Sequence, residues 1–169
     1  MPVTWIGIFD GLATITGVWL GNRVSLWCER RGRNLRDVTK LCLGMTGVAL
    51  AWLFAAGIAG LSVTPLGLWL TFFVIQDFSY AAFIEPPVPS LVSRDSPPAV
   101  VSTMMSLYKA STAVSYFAAG WLVRFYEPLG PQKFFLLNAA VAGGAALWMI
   151  AGYRWWVNQL GPFEMRPGG

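Results

Sequence analysis

The sequence has no histidine and few charged residues. The first absence excludes several kinds of catalytic and metal site, and the second argues against a soluble globular protein. Without histidine among its 169 residues, it cannot build a histidine-based catalytic triad, a histidine-ligated zinc or haem site, or an imidazole proton relay. Only 12% of the residues are charged, about half of the roughly 25% that is typical of soluble globular domains. The two cysteines, Cys28 and Cys42, are too few for a disulfide framework.

Apolar residues dominate what is present. They make up 56% of the chain, and the mean hydropathy is +0.55. Too few polar side chains remain to cover a water-facing surface, so the lipid bilayer is the expected surrounding and partner. The formal net charge is +4, but the basic residues are too scattered to follow a phosphate backbone. No nucleic-acid partner is therefore expected.

Five apolar stretches, separated by clusters of proline, glycine and charged residues, follow one another along the chain. Each approaches or exceeds the roughly 20 residues that a helix needs to cross the hydrocarbon core. Backbone groups in lipid must find hydrogen-bond partners within their own segment, which favours helices. The sequence therefore predicts an all-α membrane bundle, residues 1–169, with about five transmembrane helices. They cover roughly residues 3–21, 41–63, 65–88, 99–123 and 133–157.

The basic residues predict the orientation of the bundle. Most of them fall on one side of the predicted spans, and these are Arg23, Arg30, Arg31, Arg33, Arg36, Lys40, Arg94, Arg154 and Arg166. The other side carries only Arg124 and Lys133. Because the basic side of a membrane protein is usually cytoplasmic, the prediction is a multi-pass protein of the plasma (inner) membrane. Its N-terminus lies outside and its C-terminus lies in the cytoplasm.

Small residues recur at four-residue spacing in the first predicted helix, for example at Gly17 and Gly21. This spacing lets two helix backbones approach closely within a membrane. It predicts helix packing and carries no information about a substrate.

Two charged residues are predicted to lie deep in the membrane. Asp77 is near the middle of the third span and Lys109 is well inside the fourth, each about 15 Å deep at 1.5 Å per residue. Since isolated charges are costly in lipid, the two are expected to pair across neighbouring helices. The pair has two interpretations: a salt bridge that only fixes the helix register, or a site at the midplane for substrate and coupling ion.

Further polar residues complete the candidate pathway for substrate and protons. Asp10 is shallower than Asp77, and Glu85 lies on the same helix face as Asp77 but close enough to the cytoplasm to reach water. Asn138 is a lesser candidate, and Tyr108 and Tyr116 are expected either to line the same cavity or to pack in the core. No catalytic constellation, cofactor site or metal site is recognisable, so the chain is not expected to be an enzyme.

Several short runs resemble one membrane family when they are read in order. The run ERRGR at 29–33 is similar to the loop between helix pairs of the major facilitator superfamily. The run PPVPSLVSRDSP at 86–97 resembles the segment after the tenth helix of the proton-dependent oligopeptide transporters within that superfamily. Further similarity to their eighth, eleventh and twelfth helices lies at residues 4–5, 9–10, 104–108, 119–121, 125–131 and 134–135.

The resemblance implies a partial major facilitator fold, helices eight to twelve of twelve. It implies a fragment or truncated form of a proton-coupled symporter for small peptides or related solutes, with the substrate between this bundle and a missing N-terminal bundle. Ala81 stands where the family usually has glutamate, and Asp77, one turn away, is the expected substitute. Lys109 is expected to pair with Asp77 or to bind an anionic group of the substrate. The alternative is a membrane protein that transports nothing and pairs with another membrane subunit.

Overall fold

The computed structural model of the chain describes residues 4–32 and 36–160, and side chains within 11–32 and 36–159. These ranges form seven α-helices and contain no strand, which confirms the predicted all-α class. The helices are α1 (Thr4–Arg30), α2 (Asp37–Ala59), α3 (Leu66–Phe83), α4 (Pro87–Asp95), α5 (Val101–Leu122), α6 (Tyr126–Ala151) and α7 (Tyr153–Leu160). A 3-10 turn, Val123–Phe125, joins α5 to α6.

Three helical stretches are long and apolar enough to cross a membrane, which identifies a membrane protein. They are Asp37–Ala59, Leu66–Asp95 and Val101–Ala151. The third holds both α5 and α6. Its 51 residues would span about 75 Å as one straight helix, more than twice the hydrocarbon thickness. Within the described residues α1 is not one of these stretches, and the count of five spans stays a prediction.

Helix α2 is central to the packing. It packs against both α3 and α6, while α1 packs against α3. Ala51, Ala55 and Ile58 of α2 are buried with Phe72 of α3. Aromatic rings surround this cluster, and the ring centres of Trp52 and Phe135 lie 5.9 Å apart. Alanines on α2 let the aromatic side chains of its neighbours fill the space between the helices.

Two glycines bring α1 close to α3. Gly17 and Gly21 are both buried. A Cβ atom placed on Gly21 would lie 2.8 Å from the Cα, Cβ and carbonyl oxygen of Ala82, and one on Gly17 would lie 3.2 Å from the Cβ of Ala81. Glycine is therefore required at position 21 for this helix separation. The prediction of close packing from the small-residue spacing is confirmed at these two positions.

Helix α1 is longer than the apolar run that predicted it. The hydropathy pattern ends at residue 21, whereas the helix continues to Arg30. Arginine, leucine and glutamate are good helix formers, so the helix persists after the chain has become polar. At 27 residues it is about 40 Å long, longer than the hydrocarbon core is thick.

Prolines and a glycine divide two of the predicted spans. The third span was expected to continue to residue 88, but α3 ends at Phe83 and the prolines that begin at Pro86 start a separate helix, α4. The last span was expected to continue to residue 157, but α6 ends at Ala151 and Gly152 precedes α7. Proline lacks the backbone donor and glycine weakens a helix, so each break lies where the sequence disfavours continuation.

One end of the bundle is joined by polar contacts among α2, α4 and α7. Asp37 forms ion pairs with Lys40 and with Arg94 of α4, with N···O distances of 3.6 and 3.5 Å. The hydroxyl groups of Thr39 and Tyr153 form a hydrogen bond of 3.0 Å. The starts of α2 and α7 and the end of α4 therefore lie at the same end of the molecule. These are the segments whose basic residues predict the cytoplasmic side.

The orientation leads to a labelling prediction. With Cys42 replaced by serine, a membrane-impermeant thiol reagent is expected to label Cys28 in inverted vesicles but not in intact cells. The control is Val63→Cys with both native cysteines removed. Val63 is 76% exposed in the connection between α2 and α3, and this position should react in intact cells. The opposite labelling pattern would reverse the predicted orientation.

Candidate functional site

A polar cleft of about 730 Å³ separates α3 from α5. Thr14 of α1 and Val48 of α2 contribute to its lining, but most of its surface comes from the two facing helices. Helix α5 has its closest packing with α4 and with the 3-10 turn. The cleft therefore occupies the space in which α5 would otherwise contact α3.

The α3 wall carries the carboxylates of the cleft. Gln76, Asp77 and Tyr80 lie on one face of the helix, since residues three and four apart are neighbours, and Glu85 follows shortly after the helix ends. Asp77 is partly buried, whereas Glu85 is exposed. The Gln76 Oε1 atom is buried and has no hydrogen-bond partner among the described residues. This wall thus presents two acidic groups and an amide oxygen.

The α5 wall carries hydroxyl groups at helical spacing. Its lining residues are Tyr108, Ser111, Thr112, Ser115 and Tyr116. The Ser111 and Thr112 hydroxyls donate to the carbonyl oxygen of Tyr108, at 2.7 and 3.2 Å, and the Ser115 hydroxyl donates to that of Ser111, at 2.9 Å. Because these donors are used within the helix, the hydroxyl oxygens remain as acceptors.

The cleft as a whole offers acceptors and negative charge. Among the described residues that line it, none is lysine or arginine. Carboxylates, hydroxyl oxygens and the faces of tyrosine rings all favour a ligand group rich in N–H donors or carrying positive charge. These groups suit an ammonium or amide group as ligand.

The structure brings several of the predicted site residues together. Asp77, Glu85, Tyr108 and Tyr116 all line the cleft. Asp77 comes from α3, Glu85 directly follows that helix, and both tyrosines come from α5, so residues far apart in the sequence share one cavity. The role of the two tyrosines in a pathway stays a prediction.

Other predicted residues lie elsewhere. Lys109 is exposed, with Nζ 5.3 Å from the ring centre of Tyr108, and is not a lining residue of the cleft. Asn138 lies in α6, where its Nδ2 donates to the carbonyl oxygen of Phe134 at 2.9 Å. Asp10 belongs to α1, but its side chain lies outside the described residues. The pairing of Asp77 with Lys109 stays a prediction.

Sequence reasoning missed the neutral members of the cleft. Gln76, Tyr80 and Thr112 were not predicted, because neutral polar residues are less costly in lipid than charges and stand out less within an apolar span. Two signals were present: Gln76 and Tyr80 share a face of α3 with Asp77, and the hydroxyl residues of α5 recur at three- and four-residue spacing. Together these signals would have indicated two polar faces, though not that they meet.

Ala81 faces away from the cleft. It is 1% exposed and lies against Gly17 of α1. A glutamate side chain at this position would have to enter the tight contact between α1 and α3. Asp77, one turn earlier, lines the cleft instead. The acidic group of α3 therefore lies where a ligand can reach it, and position 81 serves packing.

Comparisons with known proteins leave the family undecided. No family model matches the chain, and no curated protein or solved structure is significantly similar to it. The fold and the cleft are thus the observations on which a function can be argued.

Proposed function

We propose that the chain forms one bundle of a proton-coupled secondary transporter for small peptides or related solutes. The observation that supports this proposal best is the polar cleft between α3 and α5. Polar groups inside membrane-spanning helices are costly and typically mark the path of a substrate or ion. In this chain two facing helix walls carry such groups: Gln76, Asp77 and Tyr80 on α3, and the hydroxyl residues on α5.

The chemistry of the walls suits a peptide-like solute. Such a solute carries an ammonium group and amide N–H donors, and the cleft offers carboxylates and hydroxyl oxygens. Asp77 is partly buried and is a candidate proton carrier, because a carboxyl group shielded from water can exchange its proton as the solute binds and leaves. Its position within the membrane-length stretch Leu66–Asp95 supports a site near the midplane, where transporters bind their substrates.

A second bundle completes the pathway in this proposal. Transporters of this architecture enclose their substrate between two bundles that rock against each other. Helix α5 has no buried residue among its described positions, and Phe117 is 79% exposed. The exposed side chains of α5 are therefore available to contact a second bundle.

The same surface favours a second candidate function. A membrane subunit that binds another membrane protein without transporting a solute would also use an exposed α5, on which Lys109 is itself exposed. A lysine in this position is costly in lipid and is best satisfied by a protein partner or by water.

Uptake into proteoliposomes distinguishes the two functions. When it is reconstituted together with the membrane protein that supplies the second bundle, the chain is expected to accumulate a radiolabelled dipeptide when the outside is acidic, and excess unlabelled dipeptide should compete. Collapse of the proton gradient with an uncoupler is the control and should abolish accumulation. Absence of uptake, together with stable co-purification of one membrane protein, would favour the subunit function.

The hydroxyl wall gives a further prediction. Replacing Thr112 with valine and Ser115 with alanine is expected to raise the KM for the dipeptide by about 5- to 25-fold, since each lost hydrogen bond costs about 1 kcal/mol. Thr71→Ala is the matched control, because the Thr71 hydroxyl also donates within its own helix, to Gly67 at 2.8 Å, but does not line the cleft. An equal effect of both changes would contradict a binding role for the α5 wall.

A further inference from the structure

Four exposed side chains of alternating type follow one another along the end of α1. They are Trp19, Arg23, Trp27 and Arg31, spaced four residues apart, and we call them the Trp–Arg ladder. The Arg23 guanidinium carbon lies 5.1 Å from the Trp19 ring centre, and that of Arg31 lies 4.0 Å from the Trp27 ring centre. Trp19 is 56% exposed and Trp27 is 53% exposed. Each tryptophan thus supports the next arginine one turn further along.

The ladder points away from the neighbouring helix. At about 100° per residue, Trp19 is about 200° around α1 from Gly17, which packs against α3. Glu29 lies about 200° around the helix from Trp27 and lines a separate cleft beside Asp37 and Lys40. The nearest acidic side chain on α1 therefore does not face the ladder.

We place the ladder at the depth of lipid headgroups, because it begins where the apolar run of α1 ends and continues into charged sequence. Helix α1 is about 10 Å longer than the hydrocarbon core is thick, so its last turns extend beyond the core. Tryptophan and arginine are the residues that membrane proteins place in this layer. The ladder belongs to the basic end of the bundle, the side at which anionic lipids attract arginine.

We propose that the Trp–Arg ladder is a docking site for the headgroup of an anionic phospholipid. Stacking on tryptophan holds each guanidinium plane in place, so that its N–H donors remain directed outward for bidentate contact with a phosphate. The exposed tryptophan faces cover the glycerol region and the first part of the acyl chains. Arg31 is the first residue after α1, and Arg23 lies eight residues before it, about 12 Å at the helical rise, which allows two phosphate groups to bind side by side.

The test is a lipid titration of the purified full chain in detergent, followed by native mass spectrometry. Phosphatidylglycerol is expected to bind at least about tenfold more tightly than phosphatidylcholine. The double change Arg23→Gln and Arg31→Gln should reduce this preference at least about tenfold. Arg124→Gln is the control, because Arg124 lies in the 3-10 turn at the opposite end, beside the exposed Trp121, and it should change the preference by less than about twofold.

A second pair of variants tests the stacking. Arg23→Lys with Arg31→Lys keeps the charges but loses the planar groups, and we expect a loss of about threefold in preference. The proposal would be overturned if the lysine variant kept the full preference for phosphatidylglycerol, or if the Arg124 variant lost as much of it as the Arg23 and Arg31 variant. Either result would mean that the ladder acts only through general surface charge. Displacement of the lipid by soluble glycerol phosphate would assign a free-phosphate site instead.

A measurement on the unaltered protein does not depend on the folding of any variant. Brominated phosphatidylglycerol should quench the tryptophan fluorescence more strongly than brominated phosphatidylcholine at equal mole fraction, and the difference should shrink with added salt. Equal quenching by the two lipids would overturn the proposal. Tighter binding of an acidic peptide than of either lipid to the ladder would also overturn the proposal. That result would indicate a protein partner.

Discussion

Replacing Asp77 with asparagine is expected to lower gradient-driven uptake of a dipeptide by at least about 100-fold. Asparagine keeps the size of the side chain and can still accept hydrogen bonds in the cleft, but it cannot exchange a proton. Counterflow, the exchange of labelled for unlabelled solute without a proton gradient, should therefore persist within about threefold. This separation of the two rates is the expected sign of a proton carrier as opposed to a binding residue.

Glu85→Gln is the matched control for this change. Glu85 also lines the cleft but is exposed, so its charge is solvated and its loss should lower uptake by no more than about threefold. Equal loss of gradient-driven uptake and counterflow in Asp77→Asn would make Asp77 a binding residue only. Retained gradient-driven uptake would show that the proton site lies elsewhere.

The relation of Asp77 to Lys109 can be measured with the same assay. A cycle of Asp77→Asn, Lys109→Gln and the double variant gives their coupling energy. In the arrangement described, Asp77 lines the cleft and Lys109 does not, so the two effects on uptake and on folded yield are expected to add within about 0.5 kcal/mol. A coupling above about 1 kcal/mol would show that the two charges meet, as the sequence predicts.

Replacing Gly21 with leucine should destabilise the bundle by about 3 kcal/mol or more. The first added carbon would already lie 2.8 Å from three atoms of Ala82, two of them in its backbone. Relief of this clash requires α1 and α3 to separate, which also exposes Ala81 and Ala82. We expect a lower midpoint in thermal or denaturant unfolding and a lower yield of monodisperse protein.

Gly11→Leu is the control for this prediction. Gly11 lies on the same helix and is exposed, and nothing lies within 4 Å of a Cβ placed there. The change should alter stability by less than about 0.5 kcal/mol, as is usual for surface positions. Gly17→Ala should fall between the two, because its added methyl meets the Ala81 side chain at 3.2 Å. Equal stability of the Gly21 and Gly11 variants would mean that the close approach of α1 to α3 is not required.

The sequence predicted the fold class because the bilayer imposes strong rules. Long apolar runs must be helical in lipid, and glycines four residues apart allow close packing. Helix ends were less predictable, as α1 shows: its apolar pattern stops at residue 21, but the helix continues to Arg30. Hydropathy reports where the solvent changes, whereas a helix ends where its backbone hydrogen bonding ends.

The candidate site could be predicted only through its charge. Asp77 stood out because a carboxylate is rare within an apolar run, whereas Ser111 and Thr112 are common in such helices and usually bond to their own backbone, as they do here. That α3 and α5 face each other across a gap follows from tertiary packing. No periodicity within either helix specifies which neighbour it will meet, and the expected pairing of Asp77 with Lys109 depended on that choice.

The way in which α5 is attached has a mechanical consequence. Its closest packing is at its two ends, with α4 and with the 3-10 turn, while its middle borders the cleft. Helix α4 is in turn linked to α2 through Arg94 and Asp37. Helix α5 is thus held mainly near its two ends, and we expect a solute in the cleft to displace its middle more easily than α1, α2, α3 and α6, which pack against one another.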